Sequence, residues 1–358
     1  MANRKLDIAF WNYDRGQALR DGRVKIDGVD PTFHSGGIVV DIFEAMIKDR
    51  AYDVSELGLT YFLRTMDLDD PPFLAIPVFL VRSFRHSAIY INQHKGIERP
   101  QDLAGKTLGE LALYGHDAGV MPKGMLSDEF GVTPEQCRWL VGSIDFPIKP
   151  IDWLPKPVPD GVNVTYAPPD TDLGEMLEAG EIDALIAADT PQCVLRKSPN
   201  VGRLFEDYEP IERDYYQRTG IFPIMHTVVV RRELAEHEPE IVRAVYDGFC
   251  AAKDVAQGQL VKGMTFNNMT LMIPWLSHLI ARDRDLLGDD WWPYGIARNR
   301  PSLDAYLRYH FEQGLSKRRL TIEDVFVPYL LEEPRALTRE PPITTQHRPP
   351  DRARVSRR

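Results

Sequence analysis

At 358 residues the chain is long enough for two lobes of ordinary domain size, each with its own core. Its net charge of −10 argues against a general binder of nucleic acid or of anionic membranes, whose affinity would rest on Lys and Arg neutralising phosphates. The three cysteines, Cys137, Cys193 and Cys250, are too few and too widely spaced for a disulfide framework or a zinc pattern, and read as buried free thiols.

The N-terminus lacks the apolar stretch and small-residue cleavage site of a secretory signal, and no run approaches the roughly 20 apolar residues of a membrane helix. A cytoplasmic location is therefore expected. Leu6 to Trp11 mixes β-branched, aromatic and apolar residues as a first strand would, and Val24 to Asp30 reads as a strand ending in a turn. Ile42, Phe43, Met46 and Ile47 take the spacing of an amphipathic helix. Tyr52 to Leu57 is a short strand running into a helix start, where Ser55 would serve as a cap and Glu56 would face either solvent or a cleft.

Two later stretches share a design. Phe84-Arg85-His86-Ser87-Ala88-Ile89-Tyr90-Ile91 and Gly220 to Val230 each set a histidine, His86 or His226, at the mouth of a β-branched run. If both cross one cleft, their polar groups face each other. Between them, Pro100 to Gly109 predicts a helical turn, a Gly turn and a strand, and Ala112 to Gly119 a loop leading into a helix. That helix start, with His116, would suit a carboxylate on backbone N–H groups, and Lys123 one turn on reads as a solvated charge. Pro147 to Pro159 reads as a surface loop. Asp172 to Ala179 predicts a helix closed by Gly180, and Ile182 to Ala187 a strand. Strands alternating with helices in this way indicate an α/β fold with mainly parallel sheets. From Pro239 the pattern turns helical, over Ile241 to Gln257, Met264 to Arg282 and Ser302 to Gln313, and residues 333–358 read as a disordered tail.

The order of these segments resembles the two-lobed type 2 periplasmic-binding-protein fold with a C-terminal helical segment. That resemblance divides the chain into 1–92 plus 222–332 as one lobe with the C-terminal helices, and 93–221 as the other. Tyr13-Asp14-Arg15, Tyr52 to Leu57, Phe84 to Ser87, Thr219 to Thr227, Trp292 to Ile296 and Leu307 to Leu320 together resemble the 4,5-dihydroxyphthalate decarboxylases. The likeness runs to about residue 332 and is least between Gly142 and Pro159.

Loss of CO2 from a catechol bearing two adjacent carboxylates, giving protocatechuate, is the reaction this resemblance implies. An aryl anion is too high in energy, so the ring carbon should be protonated before the carboxylate leaves. Such a site needs cations for the carboxylates, an acid beside the ring carbon and an acceptor for the phenolic proton. Arg82 and Arg85 are the expected carboxylate clamps, His86 the first and His226 the second expected proton donor, and His116 a partner for the other carboxylate. Glu56 would accept the phenolic proton while Ser55, Tyr90 or Thr227 orients a hydroxyl. The Trp291-Trp292 pair reads as packing surface. The nine histidines lack metal-ligand spacing and no nucleotide fingerprint is present, so neither metal nor cofactor is expected, and a homo-oligomer is left open. The rival reading is a non-catalytic binding protein for an aromatic or other carboxylic acid, which the same fold would serve.

Overall fold

A computed structural model of the protein describes residues 3–149, 151–266 and 271–332, so the expectation for the tail lies outside the described residues. In chain order the strands are β1 (Arg4–Ala9), β2 (Val29–His34), β3 (Val54–Gly58), β4 (Phe73–Arg82), β5 (Ile89–Asn92), β6 (Thr107–Leu111), β7 (Arg138–Gly142), β8 (Asn163–Tyr166), β9 (Ala184–Ile186), β10 (Val201–Arg203) and β11 (Ile224–Arg231). They form two sheets, ordered β2-β1-β3-β11-β4 and β10-β5-β9-β6-β7-β8. Most sequential pairs are parallel, whereas β11 runs antiparallel to both β3 and β4, and β5 antiparallel to β9 and β10. The two antiparallel strands are those by which the chain enters each sheet from the other lobe. This is the two-lobed α/β plan that the segment order predicted.

The crossing comes one strand earlier than a division at 92/93 would have it. Ile89–Asn92 lies inside the second sheet, with Ile89 opposite Ile186 and Asn92 opposite Val201. Its β-branched residues suit either sheet, so composition alone did not assign it. The strand expected at Val24 to Asp30 begins only at Val29, because Gly28 takes a left-handed turn (φ 68°) and the paired segment follows it.

Local signals explain the helices that flank the site. Val39–Asp49 buries Ile42, Phe43 and Met46 on one stripe. Asp172 caps Leu173–Ala179 by accepting from the N–H groups of Gly174 and Glu175, and Gly180 ends that helix in the left-handed conformation. The C-terminal part is helical over Pro239–Thr265, Leu276–Leu287 and Arg300–Glu312. The first helix runs past the expected end at Gln257, through Gly258 and Gly263, and the second starts only beyond Pro274, which cannot sit in a helix interior.

Arg300–Glu312 straps the lobes together. It packs on the second-lobe helix Asp117–Phe130, where Tyr309 donates to Asp128 (2.5 Å) and Gln313 to the carbonyl of Val120 (2.8 Å). Gly124 lets the Tyr309 ring lie directly on that helix backbone, since any Cβ there would fall well inside contact with the ring. Among the described residues no helix is long and apolar enough to cross a membrane.

Candidate active site

Strand pairing brings two of the expected residues together. On β11, His226 stands opposite Gly58 of β3, and Val228 opposite Glu56. Side chains alternate along a strand, so Glu56 and His226 project from the same face and meet diagonally. His226 Nδ1 donates to Glu56 Oε1 at 2.7 Å. The same carboxylate accepts from the Tyr13 hydroxyl (2.8 Å) and, through Oε2, from the N–H of Trp11 (2.9 Å), so the loop after β1 completes its coordination. Glu56 is wholly buried.

The other ring nitrogen meets the second lobe. His226 Nε2 lies 3.0 Å from Asp117 Oδ2 as an ion pair, at an angle that leaves Oδ2 without a hydrogen-bond donor. Asp117 is the first residue of the helix Asp117–Phe130, and its Oδ1 lies 2.8 Å from His116 Nδ1. Gly58 permits this approach: a Cβ there would stand 2.7 Å from the Tyr61 ring and closer still to Asp117 Oδ2. One imidazole thus bridges a carboxylate of each lobe.

The electrostatics follow from that bridge. Burial alone would drive His226 toward the neutral form, but Asp117 and Glu56 outweigh it and hold the imidazole up at about 9. Burial likewise opposes the charge on Asp117, yet His116 and His226 keep its carboxyl well below the ordinary carboxylate range. Burial, reinforced by Glu56, pushes the Tyr13 phenol above its ordinary value. At neutral pH the group is an imidazolium between two carboxylates. Rings enclose it: Phe43 stands edge-on to His226 (5.2 Å), Tyr61 edge-on to His116 (6.0 Å), and Trp153 stacks on Tyr61 (5.8 Å).

Arg85 is buried at the crossing between the lobes. It donates to the carbonyl of Ala187 at the end of β9 and touches the sulfur of Met225 (3.7 Å), the residue before His226. No carboxylate among the described residues lies within ion-pair distance of it. Burial pulls its pKa down, partly offset by Tyr90 and Asp117 at longer range.

Other expected residues are placed elsewhere. His86 is buried between Phe205 (5.1 Å) and Tyr215 (5.2 Å), with neither ring nitrogen hydrogen-bonded and its pKa lowered to about 4 by burial and then by Arg218. No hydrogen bond, ion pair or ring contact joins it to His226, Glu56 or Asp117 among the described residues. Arg82 gives its guanidinium to the carbonyls of Pro293 (3.3 Å) and Phe222 (2.9 Å) and stacks over the Phe222 ring, so its fork is already filled. Burial brings it down to about 9.

Ser55 and Thr227 are one residue from Glu56 and His226, and the alternation that brings the latter together sends the former to the opposite face. Ser55 is a strand residue rather than a cap, bonded to the carbonyl of Glu56, and Thr227 donates to Ile76 and Val78 where β11 bulges against β4. The Tyr90 hydroxyl reaches Thr190 (3.4 Å) in the second lobe. His116 does stand at the site, but of the backbone N–H groups at that helix start the one of Ala118 is already taken by His116 Nδ1 and Asp117 Oδ1. Lys123 is buried and paired to Glu110 (2.5 Å), not solvated. Trp292 packs as expected, donating to the carbonyl of Phe79 (2.9 Å).

Asp117 escaped the sequence reading. Its one signal was an acidic residue at the start of a helix already marked as an anion site, where a native carboxylate serves the helix terminus as well as a ligand would. Among the described residues no group of three or more His, Cys, Asp or Glu side chains is arranged to hold a metal ion.

No family model matches the chain. The 4,5-dihydroxyphthalate decarboxylase of Comamonas testosteroni is 36% identical over 332 residues, covering 93% of this chain and 99% of that protein. A protein of the same name from Pseudomonas putida is 34% identical over 217 residues, 61% of this chain and 83% of that protein. Among solved structures, the alkanesulfonate-binding protein SsuA from Xanthomonas axonopodis pv. citri bound to MOPS has a TM-score of 0.52 at 12% identity, covering 91% of this chain and 99% of that one. The periplasmic aliphatic sulphonate binding protein SsuA from Escherichia coli also gives 0.52, at 13% identity, over 92% of this chain and 99% of that one. At such identities these structures speak for the fold alone, the two-lobed periplasmic-binding-protein-like architecture. The sequence likeness, close to full length on both sides, says more: the chain belongs to the 4,5-dihydroxyphthalate decarboxylase family.

Proposed function

We propose that the protein removes CO2 from 4,5-dihydroxyphthalate, giving protocatechuate, by protonating the ring carbon that bears the departing carboxylate at the junction of the lobes. The observation that carries this reading is the His226 imidazolium, held charged between Glu56 and Asp117 in a wall of aromatic rings. It is a proton donor with its charge maintained at neutral pH. Family membership supplies the reaction class and the substrate.

The steps balance as follows. The hydroxyl para to the reacting carbon gives up its proton to solvent, and the oxygen's electron pair moves through the ring to that carbon, which takes the proton of His226 Nε2, the nitrogen whose contact with Asp117 is not a hydrogen bond. The C–C bond to the carboxylate then breaks, CO2 departs, and the bonding pair returns to the ring. Overall one proton is consumed per CO2 released, and His226 recovers its own from solvent. Arg85, buried and without a carboxylate partner among the described residues, holds the substrate's carboxylate charge.

Glu56 takes a different part from the one its carboxylate first suggested. A ring carbon and the oxygen para to it lie at opposite ends of the ring, so a group in contact with His226 does not reach that oxygen while His226 reaches the carbon. Both oxygens of Glu56 are engaged by His226, Tyr13 and Trp11, which makes it a positioning residue. His116, one carboxylate further from His226, accepts the Ala118 N–H on Nδ1 and so presents its Nε2–H to the substrate as a hydrogen-bond donor.

The test is incubation of the purified protein with 4,5-dihydroxyphthalate in D2O. Release of CO2, with one deuterium at the vacated ring position and loss of turnover in His226→Asn, is expected. Binding without CO2 release would return the protein to the solute-binding reading. Turnover with no ring deuterium would remove ring protonation by an exchangeable donor.

A further inference from the structure

A second buried cation, besides Arg82, serves neither the chemistry proposed above nor any ion pair. Arg64, on the helix Leu59–Thr65 that follows β3, is 1% exposed, with no carboxylate among the described residues within ion-pair distance. Its guanidinium instead gathers carbonyls from two segments of the second lobe. Nη2 donates to Tyr114 (2.7 Å) and Gly115 (3.3 Å), and Nη1 to Pro155 (3.0 Å). The first two lie in the loop that delivers His116 and Asp117, and the third lies in the proline-rich segment that delivers Trp153.

That loop has an uncommon backbone. Ala112 and Gly115 both take positive φ, 64° and 74°, and a Cβ at Gly115 would stand 2.9 Å from Arg64 Nη2. A non-glycine residue in the left-handed region persists only where its surroundings impose it, and the Ala112 N–H is held by the carbonyl of Gly142 (2.9 Å). Thr60 donates to the Gly115 carbonyl (2.9 Å), and the Gly115 N–H donates to Glu110 (3.1 Å), itself paired to Lys123 (2.5 Å). Arg64 is the member of this group that also reaches the Trp153 segment.

We infer that Arg64 is a positioning residue of the active site: by clamping the carbonyls of Tyr114, Gly115 and Pro155 to the first lobe, it sets where Asp117 stands against His226 and where Trp153 stands against Tyr61. Planarity matters to the role, because a guanidinium fork meets several carbonyls at once where an ammonium serves one point. The inference rests on His226 as the proton donor for its consequence in turnover, though not for its geometry.

His226 is the natural reporter. It is faced by Glu56 on β3 and Asp117 on the second-lobe helix, with Tyr13 and Arg20 beyond Glu56, and His116 and Arg85 beyond Asp117. Only Asp117 and His116 sit on the loop and helix that Arg64 holds. The experiment is a histidine side-chain NMR titration of the full chain in wild type, Arg64→Lys, Arg64→Met and Thr60→Val, with circular dichroism to confirm folding and kcat and KM measured in parallel. The expected result is a His226 midpoint near 9 in wild type and lower by about one unit or more in Arg64→Met, with Arg64→Lys between the two. The fall in kcat should exceed the rise in KM. A folded Arg64→Met with an unmoved His226 midpoint overturns the inference. Should Arg64→Met not fold, unmoved midpoints in both Arg64→Lys and Thr60→Val do the same. Because the titration needs no CO2 release, a failure of the decarboxylase reading is seen separately.

Discussion

Asp117→Asn isolates the charge that completes the bridge. The replacement keeps the side chain's shape against Gly58 and Ala118 and removes the second-lobe carboxylate from His226. With His226 at about 9 against an ordinary 6.5, its charged form is favoured by about 3 kcal/mol. Burial works against that charge, so the two carboxylates together supply more than this amount, and Asp117 supplies the larger part. Its removal therefore costs more than half of that and brings the midpoint below about 8. The assay is the pH dependence of kcat/KM from CO2 release, whose alkaline limb reports the free enzyme's donor. At pH 8.5 the protonated fraction should fall from about three-quarters to under about one-quarter. An alkaline limb that stays near 9 in Asp117→Asn would refute the bridge as the source of the donor's charge.

Other consequences concern stability and the rejected donor. Glu56→Gln strips the charge from a buried acceptor of three donors and should cost about 3 kcal/mol in urea denaturation; an unchanged midpoint would mean that His226, Tyr13 and Trp11 do not depend on it. Gly124→Ala, which would stabilise an open helix by about 0.5–1 kcal/mol, should here destabilise by about 1–3 kcal/mol because its Cβ meets the Tyr309 ring, and a rise in melting temperature would contradict the strap. His226 has a folded value above its ordinary one, so its stabilising contribution is full below 6.5 and lost as pH rises toward 9. Wild type should accordingly lose more stability than His226→Asn between pH 7 and pH 9.5 in urea titrations, and equal losses would dismiss the linkage. His86→Phe places a ring of similar size between Phe205 and Tyr215 and breaks no hydrogen bond, so turnover should stay within about threefold, whereas a hundredfold loss would restore His86 as the donor.

Local order was open to the sequence wherever the cause is local. Asp172 and Gly180 bracket a helix because a side-chain oxygen and a missing Cβ act on their own turn. Glu56 and His226 could be named as polar groups on apolar strands, and strand alternation could have set Ser55 and Thr227 aside once the pairing of β3 with β11 was known. That pairing joins segments 170 residues apart, and nothing within either segment specifies it.

What the chain determines by itself, then, is the alternation of strands and helices and the residue types able to carry charge and protons. Which of those residues work together is settled by long-range packing. Arg82 and Arg85 are three residues apart with the same chemistry, yet one finds two carbonyls and an aromatic face to fill its fork while the other keeps its charge at the crossing. Asp117 reaches His226 because Gly58 lets a helix of the second lobe come onto a strand of the first. A charge's role depends on what lies within a few ångströms of it, and those neighbours are assembled only when the lobes meet.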